Sequence, residues 1–136
     1  MKKYGSWILA LLVTASISMA DDLTGADAIL CSAAQATICD EEEGCESGPP
    51  WAWNIPLFIE IDLAKKTMGT TAASGEDRST PIRTLERTDG MIFLQGIEQG
   101  RAFSFVIDET HGLMTVAVAR EAATVSVFGA CTPIKN

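Results

Sequence analysis

From Ile55 onward, short β-prone apolar runs alternate with turn residues at nearly even intervals, the pattern of an antiparallel meander, and helical periodicity is largely absent. Residues 56–63 form the first run, and a polar turn at 64–66 leads into a second at 67–71. A loop of Ser, Gly, Glu and Asp follows, then a run at 81–86 that ends at Asp89-Gly90, a pair suited to the positive φ of a tight hairpin. Runs at 91–97 and 102–107 meet across Gln99-Gly100, the chain turns again at 108–112, and runs at 113–119 and 124–131 complete the series. An eighth strand is expected at 33–39.

Side chains alternate sides along a strand, so Phe103, Phe105 and Ile107 share one face while Ser104 and Val106 share the other. Both faces are fairly apolar, which suits a sheet that covers one face by its own curl. A flat sheet of this length would leave two adhesive edges in the open. The expected fold is therefore all-β: a small antiparallel up-and-down, calycin-like barrel or half barrel of about eight strands. Residues 24–30 are expected to form a short N-terminal helical turn capped by Thr24 and packed on the barrel end.

The first twenty residues follow a different pattern. Lys2 and Lys3 precede an apolar stretch at 7–17, and Ser18-Met19-Ala20 places small residues where a signal peptidase cuts. The stretch is too short to span a bilayer, which takes about 20 helical residues, so it reads as a cleavable export signal, not an anchor. No cysteine directly follows it, which argues against lipid anchoring, and nothing downstream is apolar enough over a sufficient length to form a membrane span. Cleavage after Ala20 leaves residues 21–136 as a single domain. It also removes two of ten basic residues and none of eighteen acidic ones, moving the formal charge from −8 to −10 with His111 neutral. Nucleic acid and anionic lipid are poor partners for such a field, and a basic protein, a cation or a neutral ligand is easier to accommodate.

All four cysteines lie beyond the signal, and an even number in an oxidising compartment reads first as disulfides. Cys39 and Cys45 bracket the short loop Asp40-Glu41-Glu42-Glu43-Gly44 and are expected to pair, leaving Cys31 with Cys131 to join the start of the domain to its end. Spacing leaves the competing pairing, Cys31 with Cys39 and Cys45 with Cys131, open. Gaps of seven, five and eighty-five residues between the cysteines do not match the close ligand pairs of a zinc site, and no metal or other cofactor is expected.

Catalytic residue types are sparse. His111 is the only histidine and sits in the turn Asp108-Glu109-Thr110-His111-Gly112, where it reads as a surface residue and not the base of a triad. Glu60 and Asp62 share one strand face, a spacing explained as well by solvation as by the paired carboxylates of a glycosidase. No catalytic residue is assigned. The acidic loop 40–46 lacks the alternating Asp/Asn pattern of a calcium-binding EF-hand and reads as a solvated charge run. Trp51 and Trp53, spaced by two beside Pro49, Pro50 and Pro56, are the candidate ligand-binding residues: exposed, they stack on a sugar or anchor a protein, and buried, one of them plugs the barrel mouth.

With cysteines near the processed start and a Gly129-Ala130-Cys131 ending, the chain resembles uncharacterised small exported bacterial β proteins. More loosely it is similar to the membrane-bound lysozyme inhibitors, small periplasmic barrels with a cysteine near each end. Those inhibitors insert polar side chains, including a lysine, into the lysozyme cleft from late strands, whereas between Leu113 and Cys131 this chain has Arg120 and no lysine. No inhibitory residue carries over. The expectation is a periplasmic or secreted, non-catalytic binding module for a protein or small-molecule ligand. A lysozyme-inhibitor-like protein, a small carboxylate-dependent hydrolase and a structural envelope component are the alternatives.

Overall fold

Two dipeptides with a glycine in second place, Asp89-Gly90 and Gln99-Gly100, each set a two-residue turn between paired strands. All four residues adopt positive φ, between 46° and 75°, the conformation whose twist matches that of paired strands. Around them the computed structural model, which describes residues 21–135, folds as one antiparallel sheet of ten strands. These are β1 (Ala28–Asp40), β2 (Gly44–Gly48), β3 (Phe58–Asp62), β4 (Thr67–Thr70), β5 (Ser79–Pro81), β6 (Thr84–Thr88), β7 (Met91–Glu98), β8 (Arg101–Asp108), β9 (Leu113–Arg120) and β10 (Ala123–Pro133). Two short 3-10 turns, Pro50–Trp53 and Ala72–Ser74, interrupt the connections. The export signal expected over 1–20 lies outside the described residues.

The spatial order β5-β4-β3-β1-β10-β9-β8-β7-β6 explains how the sheet manages its edges. The two outermost strands, β5 and β6, are consecutive in the chain and separated only by Ile82 and Arg83. The amide of Ile82 donates to Lys66 O at 2.9 Å on one side, and that of Arg83 donates to Gln95 O at 2.8 Å on the other. A single segment thus borders both ends of the sheet and holds it curled as a half barrel, leaving no long flat edge to recruit another chain.

β1 is the axis of this arrangement. One edge pairs with β10 along nearly its whole length, while the other pairs with β3 through Ala28–Ser32 and with β2 through residues 36–40. The register slips between Ala33 and Gln35, a bulge that bends β1 and lets β2 and β3 diverge. Opposite the bulge, a Cβ on Gly129 would lie 2.0 Å from Ser32 O, so the strands approach closely enough there to admit only glycine. The two expected disulfides form, Cys31–Cys131 and Cys39–Cys45, each joining residues directly opposite in the ladder.

Residues 24–30 differ from expectation. No helical turn forms: Thr24 and Gly25 make a turn with Gly25 at φ 74°, and the chain is extended from Ala28. Pairing on both edges of Ala28–Ser32 satisfies two rows of backbone groups, and burial of Ile29 and Cys31 on one face outweighs a single helical turn. The strand count exceeds the expected eight for two reasons. β2, Gly-Cys-Glu-Ser-Gly, has no apolar alternation and is held by its ladder and disulfide, while the run expected at 81–86 divides between β5 and β6.

Alternation puts Ile92 and Leu94, Phe103, Phe105 and Ile107, and Met114 and Val116 inside the curl. The end marked by the β6–β7 and β8–β9 turns is sealed. Leu23, Ile29, Ile61, Ile92 and Ile107 are fully buried there, each contributing about 2–3 kcal/mol of apolar burial. Arg87 ties the N-terminal segment over that end, donating from Nη1 to Ala26 O at 2.9 Å and from Nη2 to Leu23 O at 3.2 Å, with its charge met by Glu109.

Candidate functional site

Toward the other end, where the β1–β2, β7–β8 and β9–β10 turns lie, the same inward stripe of side chains continues without closing over. Beyond Phe105 and Val116 it runs through Phe103, Val118 and Val125, and the last two are only half-buried. The result is a cavity of about 530 Å³ opening at that end, within the range of about 300–1,000 Å³ common for small-ligand sites. Its wall is mainly aliphatic and aromatic, with Ile59, Met68, Val127 and the Phe103–Phe105 pair, whose rings meet edge to face at 5.8 Å. Gly96 shapes this wall. The Phe103 ring lies where a Cβ on Gly96 would be, 2.4 Å from its Cζ, so glycine lets the ring lean across β7.

One side of the cavity is the gap left where β2 and β3 part. Pro50 opens a 3-10 turn, at a position where its missing amide hydrogen is no loss. Asn54 ends that turn at φ 55°, and the following residues 54–56 line the gap. The two candidate tryptophans separate here. Trp53 turns inward over Gly48, to which its Cη2 is so close that a Cβ would lie at 3.0 Å, and it forms part of the cavity wall. Trp51 is 67% exposed and takes no part in the wall. Spacing by two puts side chains on one face in a strand, but within a 3-10 turn, at about three residues per turn, it turns them away from each other.

Polar groups gather at the mouth. Glu98 closes β7, Arg101 opens β8, and Arg120 ends β9, all on the inward side of their strands. Arg78 arrives from the loop before β5. Glu98 accepts a hydrogen bond from Thr80 Oγ1 at 2.8 Å and an ion pair from Arg78 Nη2 at 3.0 Å, with Arg101 Nη2 at 3.9 Å. Partial desolvation pushes the Glu98 pKa up, but the Thr80 and Arg78 hydrogen bonds and the Arg78 and Arg101 charges outweigh it, and the carboxyl titrates below its ordinary value. Of the eighteen acidic residues of the chain, Glu98 is the one that lines the cavity, whereas three arginines do.

The remaining candidates lie elsewhere. His111 is exposed on the β8–β9 turn at the sealed end, with Nδ1 2.8 Å from Asp108 Oδ2 and 3.0 Å from Thr110 Oγ1. Hydrogen bonds from His111, and next from Thr110, hold the Asp108 carboxyl well below the usual range. These contacts organise a turn; a triad would present the second ring nitrogen to a nucleophile, and none of the contacts of this ring does so. Glu60 is exposed on the outer face of β3 and Asp62 bonds the turn that follows it. The acidic loop is folded by Asp40, whose Oδ1 accepts from the amides of Glu42 and Glu43.

Sequence reasoning missed the mouth residues. Glu98 and Arg101 were within reach: flanking the Gln99-Gly100 turn, they must face each other across the hairpin, on the same side as Leu94 and Phe103. Arg78 and Arg120, about twenty residues away on other elements, carry no such local signal. Comparison with protein-family models, with curated proteins and with solved structures gave no match.

Proposed function

We propose that this chain is a non-catalytic binding module that holds a small, largely apolar ligand in its half barrel and acts outside the cytoplasm. The observation that carries this reading is the 530 Å³ cavity itself: a mainly apolar hollow, open at one end and sealed at the other. A fold needing only stability would fill that space, since each unfilled methylene-sized gap in a core lowers stability by about 1 kcal/mol. Two disulfides suit an oxidising compartment. Binding is favoured over hydrolysis because the lone lining carboxylate, Glu98, is shifted downward, the wrong direction for a general acid.

Trp53 supplies the readout. In the processed chain carrying Trp51→Phe, Trp53 is the single indole, and it stands in the cavity wall. Titration with apolar molecules of increasing size is expected to shift its emission saturably, with an optimum at a size that fills the cavity. Absence of any saturable change across the series defeats the reading.

A second reading, an envelope component that works by self-association, draws on the outer face. Phe58, Leu113 and Phe128, on β3, β9 and β10, are each about half exposed, and only the small Ser32 and Ala130 lie between Phe58 and Leu113 in the ladder. A strict monomer in sedimentation at high protein concentration removes that reading.

A further inference from the structure

Charge at the cavity mouth runs against charge everywhere else. The processed chain carries eighteen acidic and eight basic residues, yet the cavity is lined by Arg78, Arg101 and Arg120 against the single Glu98. Glu98 is engaged by Arg78 and, at longer range, by Arg101. It offsets one guanidinium, so the lining keeps an excess of two positive charges. Arg120 has no carboxylate within 4.0 Å among the described residues, and its position at the end of β9 puts it on the inward side with Val118.

Resting on the cavity reading, we infer that the site takes an amphiphile: an apolar body in the half barrel and an oxyanion head group at the mouth, received by Arg120 and Arg101. Guanidinium groups match carboxylate and other oxyanion geometry through paired N–H donors. Arg78 is taken up by Glu98 at 3.0 Å and is not counted as a receiver. Glu98, 3.9 Å from Arg101 Nη2, competes with the ligand for that arginine and leaves Arg120 free.

Acidic residues do stand at this end: Asp40 at the end of β1, Glu41–Glu43 in the β1–β2 turn, Glu46 opposite Ile38 on β2, Glu121 in the β9–β10 turn, and Glu76 and Asp77 before β5. Glu76 Oε2 lies 3.8 Å from Arg78 Nη1. None of them lines the cavity. At physiological ionic strength the field of solvated charges is screened beyond about 8 Å, whereas direct contacts to the partly buried Arg101 are screened less, with the exposed Arg120 adding a charge at contact distance. The lining charges therefore decide which head group is held.

The test is calorimetric titration of the oxidised protein with laurate, dodecanol and dodecylammonium, which share one chain and differ in the head. Laurate is expected to bind about tenfold tighter than dodecanol, the equivalent of one charge-assisted contact of about 1.4 kcal/mol. Dodecylammonium should bind weakest. Arg120→Gln and Arg101→Gln should each reduce the laurate-to-dodecanol ratio about three- to tenfold. Glu98→Gln should raise it, because it removes the competing carboxylate. Circular dichroism and thermal melting confirm that each variant is folded, and the two arginine variants are independent tests should one of them destabilise the mouth. Equal binding of laurate and dodecanol, a preference for dodecylammonium, or ratios unchanged in all three variants overturns the inference while leaving the cavity reading intact. Failure of all three amphiphiles to bind overturns both.

Discussion

The two ends of this half barrel are built from the same strands and the same alternation, yet one is a core and the other a cavity. At the sealed end Leu23, Ile29, Ile61, Ile92 and Ile107 exclude solvent completely, and Arg87 straps the N-terminal segment across them. At the open end Trp53, Ile59, Met68, Val118 and Val125 are only partly buried and face a hollow rimmed by charge. The difference does not lie in hydrophobicity, since both stripes are apolar. It lies in what crosses the end: an apolar residue delivered by the N-terminal segment on one side, and on the other the diverging β2 and β3 with polar turns. Close packing is therefore concentrated at one end and open space at the other.

The disulfides divide the same way and offer the largest contrast. Cys31–Cys131 is buried toward the sealed end, beside Gly112 of the β8–β9 turn and with Cys31 at the inner limit of the cavity wall, and spans 100 residues. In the chain-entropy relation its loss, by replacing both cysteines with alanine, is expected to remove about 4–5 kcal/mol, and loss of Cys39–Cys45, which spans only six residues, about 2 kcal/mol. Urea unfolding of the two double variants checks this. A larger effect for Cys39–Cys45 would place the stability at the open end and reverse the comparison.

Within the core the contrast can be drawn with single substitutions. Ile107→Ala, at a fully buried position, should lower unfolding free energy by about 3–4 kcal/mol. Val118→Ala, half-buried on the cavity wall and two strand positions beyond the packed Val116, should lower it by about 1 kcal/mol. Chemical denaturation with matched slopes measures both, and equal losses would mean that the open end is packed as tightly as the sealed one.

Acid should act on the open end through Glu98. Its carboxyl titrates below its ordinary value of 4.5 when folded. Ionisation therefore contributes stability that is fully present above that ordinary value and is lost as pH falls through the folded value. Glu98→Gln removes this contribution, so the stability difference between wild type and variant should shrink as pH falls below about 4.5. A difference that is constant with pH would show that the Arg78–Glu98–Thr80 cluster does not couple to folding.

The smallest effect is a gain. Ala122 sits at φ 59° in the turn beside Arg120, a conformation that disfavours a Cβ by about 1–2 kcal/mol. Ala122→Gly relieves this but adds freedom to the unfolded chain, leaving an expected stabilisation of about 0.5 kcal/mol. A thermal melt detects it, and destabilisation would mean that the alanine methyl makes a compensating contact at the rim.

Several features were legible along the chain because they are local. The pairing of positions 91–98 with 101–108 follows from alternation and from the Gln99-Gly100 turn, and with it the opposition of Glu98 and Arg101. Trp51 and Trp53 were singled out together by residue type and proline neighbours, and their separation depends on the 3-10 turn Pro50–Trp53 between β2 and β3. Residues 24–30 read locally as a helical turn, but Thr24 and Gly25 form a non-helical turn and the chain is a strand from Ala28, because β3 and β10 meet it there from both sides. β2 escaped notice since its pairing owes nothing to hydrophobic pattern.

Local pattern alone was therefore enough to specify an antiparallel all-β fold, its tight turns and the inward identity of Phe103, Phe105 and Ile107, because alternation and turn conformation involve only neighbouring residues. The tertiary structure decided what depends on distant segments meeting. It chose between the cysteine pairings, curled the sheet through Ser79–Thr88, and brought Arg78, Glu98, Arg101 and Arg120 to one mouth. Whether an apolar stripe becomes a filled core or an open cavity is likewise set by what lies across it, which no stretch of sequence contains by itself.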